Sequence, residues 1–238
     1  MRNVYIVSSV RTAVGKAPRG TLRHTRPENL GAAAVRGALS KIDGLVSNQV
    51  DDVILGCAMP EAEQGYNLGR VVGLRAGLPD SVAGCTVNRL CSSGLQSIAM
   101  AHQAIALNQA EVVVAGGVES MSLIPMGGHQ FLPNAELLTE APETYITMGL
   151  TAENVANQFQ ISRADQDAFA LRSHQRALVA IQSGHFKEEI VPITVRETHY
   201  VNGRPEAKEI IFDTDEGPRA DTNLEALSRL KPVFHVKG

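Results

Sequence analysis

The sequence contains no tryptophan, 4% aromatic residues and three cysteines among 238 residues. So few aromatics weigh against a platform on which nucleotide bases stack. Three cysteines cannot all pair, and the spacings of Cys57, Cys85 and Cys91 fit no zinc pattern. The expectation is a reduced, cytoplasmic protein without a metal site. Neither sign of charge dominates: 22 Lys and Arg against 25 Asp and Glu leave a formal net charge of −3. There is no basic stripe of the kind that binds nucleic acid, and no block of like charge that marks a disordered tail. The longest apolar runs fall well short of the roughly 20 residues a membrane-spanning helix needs. The opening stretch MRNVYIVSSVRTAVGK carries neither a signal-peptide apolar region nor a long Arg/Ser-rich presequence.

What is present is ordinary globular material, 44% hydrophobic and 20% charged, with room for one or two domains. Residues 4–10 (VYIVSSV) read as a buried strand and 26–42 as an Ala- and Leu-rich helix. A strand over 51–60 stops at Pro60, and a helix over 68–78 stops before Pro79. A brief strand at 84–88, a helix at 92–109 and a strand at 111–117 follow. Strands alternating with helices predict a parallel sheet with crossover helices. After residue 121 the character changes. Pro125, Pro133, Pro142 and paired glycines predict irregular backbone over 121–149. Two helices are expected next, the second opened by a capping box of Ser162 and Asp165 and stopped at Gly184. Strands at 189–195 and 208–217 flank a polar turn, and a short helix over 222–232 ends at Pro232. No internal repeat is present. The expected division is an α/β core over 1–121 and a mixed second region over 122–238.

The stretch NRLCSSGLQSI raises the chemical question. In the helix that follows, Leu95, Ile98, Ala99, Ile105 and Ala106 share one face, which predicts packing on the sheet through that face. Ser92 or Ser93 can cap it. Cys91 then stands at a strand-to-helix turn, where unpaired N–H groups and the helix dipole favour a thiolate and can hold an oxyanion. Gly94 leaves space where a long substrate would approach. On spacing alone Cys91 is either a nucleophile or, as most free cysteines are, a small buried hydrophobe. Cys57 and Cys85 have no such placement and read as structural.

VNRLCSSGLQSI together with VVVAGGVESMS resembles the acyl-enzyme signature of the thiolases. The resemblance extends along the chain through VRTAVGK (10–16), YITMGLTAENVA (145–156), SRADQDAFALRSHQRA (162–177) and DEGPRADTNLEALSRLKPVF (215–234). It is nearer to the degradative 3-ketoacyl-CoA type (acetyl-CoA acyltransferases) than to the biosynthetic acetoacetyl-CoA type, in which a histidine precedes the Met of the M-G motif; here that position is Thr147. The resemblance implies a thiolase-like α/β fold, a βαβαβαββ core, here without its last strand, carrying an inserted α+β loop domain. It implies Cys91 as the nucleophile that takes the acyl group, Met148 lining the acyl or pantetheine pocket, and Arg219 at the nucleotide end of CoA. The alternatives are core packing for Met148 and a solvated surface charge for Arg219. Gly116 and Gly117 are read as permitting tight backbone packing. CoA and acyl-CoA enter as substrates, no cofactor is implied, and a homodimer or homotetramer is.

The resemblance also implies a base in a G-H-P motif and a second cysteine in a C-x-G motif, both in a C-terminal half that KPVFHVKG does not reach. His102 lies eleven residues past Cys91, about 16 Å along a helix, and cannot substitute; His129, in the irregular region, is left open by the sequence. The expectation is therefore the N-terminal half plus loop domain of a thiolase, not competent for turnover by itself. Three other readings remain open: a biosynthetic acetoacetyl-CoA thiolase, another condensing enzyme of the same superfamily, such as a ketoacyl-synthase-like one, and a non-catalytic acyl-CoA-binding or interaction protein.

Overall fold

The computed structural model describes residues 2–201 and 204–236. Its contacts divide the chain into two compact units, Met1–His129 with Phe186–Gly217, and Gln130–His185 with Pro218–Gly238.

In the first unit, α1 (Pro27–Leu39) precedes β1 (Asp52–Gly56), α2 (Leu68–Ala76), β2 (Ala83–Val87), α3 (Ser93–Ala106) and β3 (Val113–Gly117). The strands form a parallel sheet in the order β2-β1-β3. The central strand, DVILG, is the most apolar and is buried along nearly its whole length, as a parallel strand covered on both faces must be. Pro27 at the first helical position starts α1, where its missing N–H costs nothing. Asn67 caps α2 by accepting the Arg70 N–H at 3.2 Å, and Gly77, at φ +92°, ends it in the left-handed region that favours glycine. Val35, Val53, Leu55, Cys57, Leu68, Val72, Leu78 and Val82 form the core between these layers.

The structure departs from the sequence pattern at two places in this unit. Residues 4–10 do not form a ladder strand, and Tyr5, Ile6 and Val7 are exposed. An apolar run carries strand propensity, but a strand exists only where an edge receives it, and that is a non-local condition. The second concerns α3. The residues it buries are Ser93, Ser97, Ala101 and Ala106, whereas Leu95 and Ile98 are exposed. The helix meets the sheet through its small side chains because the glycines beneath bring the backbones together.

The hairpin β4 (Ile193–Val201) and β5 (Arg204–Phe212) is antiparallel. The span expected as a polar turn, 196–207, is mostly strand: β4 continues to Val201 and β5 begins at Arg204, because the two segments pair with each other residue for residue, and residues 202 and 203 lie outside the described residues. The segment 186–217, expected in the second region, packs with the first unit. Ile193, Val195 and Phe212 share a core cluster with Ala13 and Leu30. Arg11 forks onto Asp215 (2.7 and 3.0 Å), bonds Glu189 through Nε (2.7 Å) and lies over the Phe186 ring. The Glu216 carboxylate binds the N–H groups of Lys16 (2.8 Å) and Thr21 (2.9 Å) and the Thr21 hydroxyl.

These anchors imply a pH dependence. The Arg11 bonds hold the Asp215 carboxyl below its ordinary range against the cost of burial, with the Val14 N–H adding to them. Burial opposes ionisation of Glu216, but the Thr21 hydroxyl, the Lys16 and Thr21 N–H groups and the Arg23 charge together pull its pKa down. A carboxyl depressed in the folded state stabilises it above the unfolded pKa of about 4 and stops doing so as pH falls through the folded value. The urea midpoint is therefore expected to decline as pH drops below about 4. Asp215→Asn should flatten that decline while lowering the midpoint at pH 7. An unchanged slope would show that this anchor does not control acid stability.

The second unit contains α4 (Ala135–Glu140), α5 (Met148–Phe159), α6 (Arg163–Gln182) and α7 (Leu224–Ser228). The capping box of Ser162 and Asp165 is present as expected, and Gly184 is left-handed at φ +72°. Arg163 ties α7 to α6 through the carbonyls of Leu227 (2.7 Å) and Leu230 (3.0 Å). Among the described residues no helix is long and apolar enough to cross a membrane.

Candidate active site

The strand ends of the sheet converge on the turn that carries Cys91. After β2 the chain makes a short elbow, Asn88–Ser92, and enters α3. Leu90 is left-handed at φ +49°, an uncommon state for a branched side chain. Its N–H donates to Asn88 Oδ1 (2.9 Å) and its carbonyl accepts from the Ser93 N–H (3.0 Å) and the Ser93 hydroxyl (2.6 Å). Ser93 Oγ in turn accepts the Arg89 N–H at 2.8 Å. Cys91 follows Leu90 and is exposed.

The serines act differently from the expectation. Ser92 occupies the N-cap, yet its hydroxyl donates back to the Arg89 carbonyl (3.0 Å) and makes no capping bond. Both hydroxyls therefore brace the elbow and leave the helix start uncapped by a side chain, the arrangement that favours an anion there.

Below the elbow, backbone meets backbone. A Cβ on Gly56 would lie 2.2 Å from the Ser93 carbonyl carbon, and one on Gly117 would lie 3.4 Å from Gly94 Cα. Gly94 faces the end of β3, but a Cβ on it would come no nearer than 3.9 Å to the Gly117 nitrogen, an ordinary contact, so the close approach of helix and sheet does not require glycine there. Gly117 shows the tight packing expected of it, whereas Gly116 does not: a Cβ there would meet only Leu55 Cδ2, at 3.8 Å. Ser97 Oγ sits 2.7 Å from the carbonyls of Gly94 and Gly116, pinning helix to strand.

The three thiols are sorted by environment. Cys57 is buried; burial first, and the Glu119 charge second, push its thiol up to about 12. Burial also raises Cys85, with the Asp52 charge adding to it. Only the thiolate alkylates. A thiol pushed that far up stays protonated at pH 8. Iodoacetamide at pH 8 is therefore expected to label Cys91 well before Cys85 and to leave Cys57 unmodified until unfolding. Peptide mapping over time checks this, and early label on Cys57 would contradict the assignment.

Met148 and Arg219 belong to the second unit and Cys91 to the first. Met148 is the first residue of α5, 58% exposed, so it is not a core residue of that unit. Arg219 is exposed, and its guanidinium bonds Asp221 (3.2 and 2.9 Å), while its N–H donates to His174 Nδ1 (3.1 Å). Composition and spacing did not single out Asn88, Gln64 and Glu119, which the fold gathers at the strand ends. The signal available in the sequence was an acid two residues after a double glycine, Glu119 after Gly116 and Gly117.

A parallel α/β sheet with an exposed thiol on a braced strand-to-helix elbow defines a class of proteins suited to covalent acyl transfer. The chain belongs to the thiolase family: residues 4–238 match the model of the thiolase N-terminal domain. It is 50% identical to a 3-ketoacyl-CoA thiolase of Bacillus subtilis (strain 168), over 100% of this chain and 61% of that protein. A 3-ketoacyl-CoA thiolase of Acinetobacter baumannii (strain AYE) is 44% identical over 100% of this chain and 58% of its own length. The crystal structure of the Bacillus anthracis acetyl-CoA acetyltransferase superposes with a TM-score of 0.84 at 40% identity, covering 100% of this chain and 60% of the other. The chain thus spans about 60% of the length of these relatives.

Proposed function

We propose that Cys91 is the nucleophile of a 3-ketoacyl-CoA thiolase and that this chain supplies its acyl-accepting half-site. The observation that carries the reading is the exposed thiol held after the left-handed Leu90 at the uncapped start of α3. Membership of the thiolase family supports the substrate class. The Cys91 thiolate adds to the C3 carbonyl of a 3-ketoacyl-CoA. Collapse of the resulting alkoxide breaks the C2–C3 bond. The electron pair leaves on C2 as the enolate of acetyl-CoA, which takes a proton, and the shortened acyl group stays on sulfur. The thiolate of a second CoA then attacks the thioester, releases the shortened acyl-CoA and restores Cys91. Dividing the reaction this way replaces one difficult step with two easier ones. The N–H groups at the start of α3 suit the developing oxyanion.

Each half-reaction also moves a proton through a general acid or base. We assign that base to the part of the relatives beyond the matched region, so the chain alone should not turn over. Met148 at the acyl or pantetheine path, Arg219 at the nucleotide end of CoA and a homo-oligomeric assembly complete the proposal. Arg219 would have to exchange Asp221 for a phosphate to play that part. The likeness to an acetyl-CoA acetyltransferase favours a second reading, a short-chain biosynthetic enzyme, while Thr147 before Met148 favours the degradative one.

The test is intact mass and peptide mapping after incubation with 3-ketoacyl-CoA thioesters of graded chain length. A single acyl adduct on Cys91 without steady release of acetyl-CoA is expected. Sustained turnover would overturn the assignment of the base elsewhere. A Cys91 inert to both thioester and iodoacetamide would make its thiol structural.

A further inference from the structure

We propose that Glu119 and Asn88 are positioning residues for Cys91, joined through the peptide between residues 58 and 59. The proposal rests on the reading of Cys91 as nucleophile. The three strands end level with one another, and one further bond on each side extends the ladder: the Cys57 N–H to the Val87 carbonyl and the Val118 N–H to the Gly56 carbonyl, both 3.0 Å. Past that point nothing in a sheet fixes the chain, and a side chain takes over. The Glu119 carboxylate accepts the N–H groups of Ala58 (2.6 Å) and Met59 (3.3 Å) and the Gln64 amide (2.6 Å). Gln64 is fully buried, and its amide also donates to the Met59 carbonyl (2.9 Å) while its oxygen accepts the Ser120 N–H. Each of its polar atoms is matched, so the bridge between the ends of β1 and β3 has one arrangement.

The peptide whose N–H is Met59's has Ala58's carbonyl as its other end. That carbonyl accepts Asn88 Nδ2 at 3.0 Å, and Asn88 Oδ1 accepts the Leu90 N–H at 2.9 Å. A run of bonds therefore leads from the acid at the end of β3 to the left-handed residue before Cys91. Aligned bonds of this kind strengthen one another. Local bonding within the elbow would hold its shape. The link to Ala58 fixes where the elbow sits relative to the sheet, and so where the thiol sits relative to the start of α3.

The experiment measures the iodoacetamide rate constant of Cys91 across a pH series for the chain, Glu119→Gln, Asn88→Ser and the double variant. Serine at 88 still offers a neutral acceptor to the Leu90 N–H and is too short to reach Ala58. A peptide of residues 88–96 gives the rate of an unpositioned thiol, and urea midpoints confirm that each variant is folded. We expect Cys91 of the chain to react about tenfold faster than the peptide. Each single variant should lose most of that advantage, and the double variant no more than either single one. If Cys91 matches the peptide, the nucleophile reading fails. If Cys91 is fast and either folded single variant is equally fast, the relay is wrong while that reading stands. Additive losses would likewise break the relay into two separate effects.

Discussion

Cys91→Ala is expected to abolish acyl labelling of the chain by 3-ketoacyl-CoA while leaving its urea midpoint within about 0.5 kcal/mol of the parent. The two halves of that result discriminate together. An exposed side chain at an elbow packs against little, so its removal costs little stability, whereas a buried structural cysteine would leave a cavity. In an enzyme assembled with the rest of the family's length, the same change should lower thiolysis by about 10⁴-fold or more, as loss of a covalent nucleophile does. Cys91→Ser should fail too, because a hydroxyl is far less readily ionised than a thiol. Retained labelling in Cys91→Ala, mapped to Cys85 or elsewhere, would remove the central assignment. A midpoint that falls by several kcal/mol would instead make this thiol a packing residue.

The second large effect is expected at Gly56→Ala. The new methyl would stand 2.2 Å from the Ser93 carbonyl carbon and 2.5 Å from the Gly94 nitrogen. Both obstacles are backbone at the start of α3, so relief requires the helix to move off the sheet. Overpacking of this kind costs about 1–3 kcal/mol and sometimes more, and the displaced helix start carries Cys91 with it. The urea midpoint and the Cys91 alkylation rate should therefore fall together. Gly116→Ala is the control: its methyl meets only Leu55 Cδ2 at 3.8 Å, an ordinary contact, and stability should stay within about 1 kcal/mol. Equal tolerance at both positions would show that close approach at Gly56 does not set the helix position.

Much was legible in the order of residues because it rests on local physics. The helices begin and end where proline, capping residues and glycines allow: Pro27 opens α1, Ser162 with Asp165 caps α6 and Gly77 closes α2. The βα alternation predicted the parallel sheet, and the strand-to-helix turn placed Cys91 before α3 as expected. The misses have one cause. Residues 4–10 have the composition of a strand, but composition does not supply a partner edge. The large apolar residues of α3 predicted its buried face. The glycines of β1 and β3 instead drew the small residues of the helix onto the sheet and left Leu95 outward.

The same contrast divides the site. The proposed nucleophile was visible because a thiol at a helix start is a feature of a few consecutive residues. The setting that distinguishes Cys91 from Cys57 was not visible, since burial and the Glu119 charge reach Cys57 from 62 positions away in the chain. Asn88, Gln64 and Glu119 become a network only when three strands end at one level, and the segment 186–217 joins the first unit only through Arg11, Asp215 and a shared core. Sequence alone determined most of the elements, their order and the place of the candidate thiol, because backbone propensity, capping and periodicity act over a few residues. Tertiary structure alone decided which faces are buried, which thiol is exposed and what braces it, because burial, ladder pairing and charge act through space between residues the chain keeps far apart.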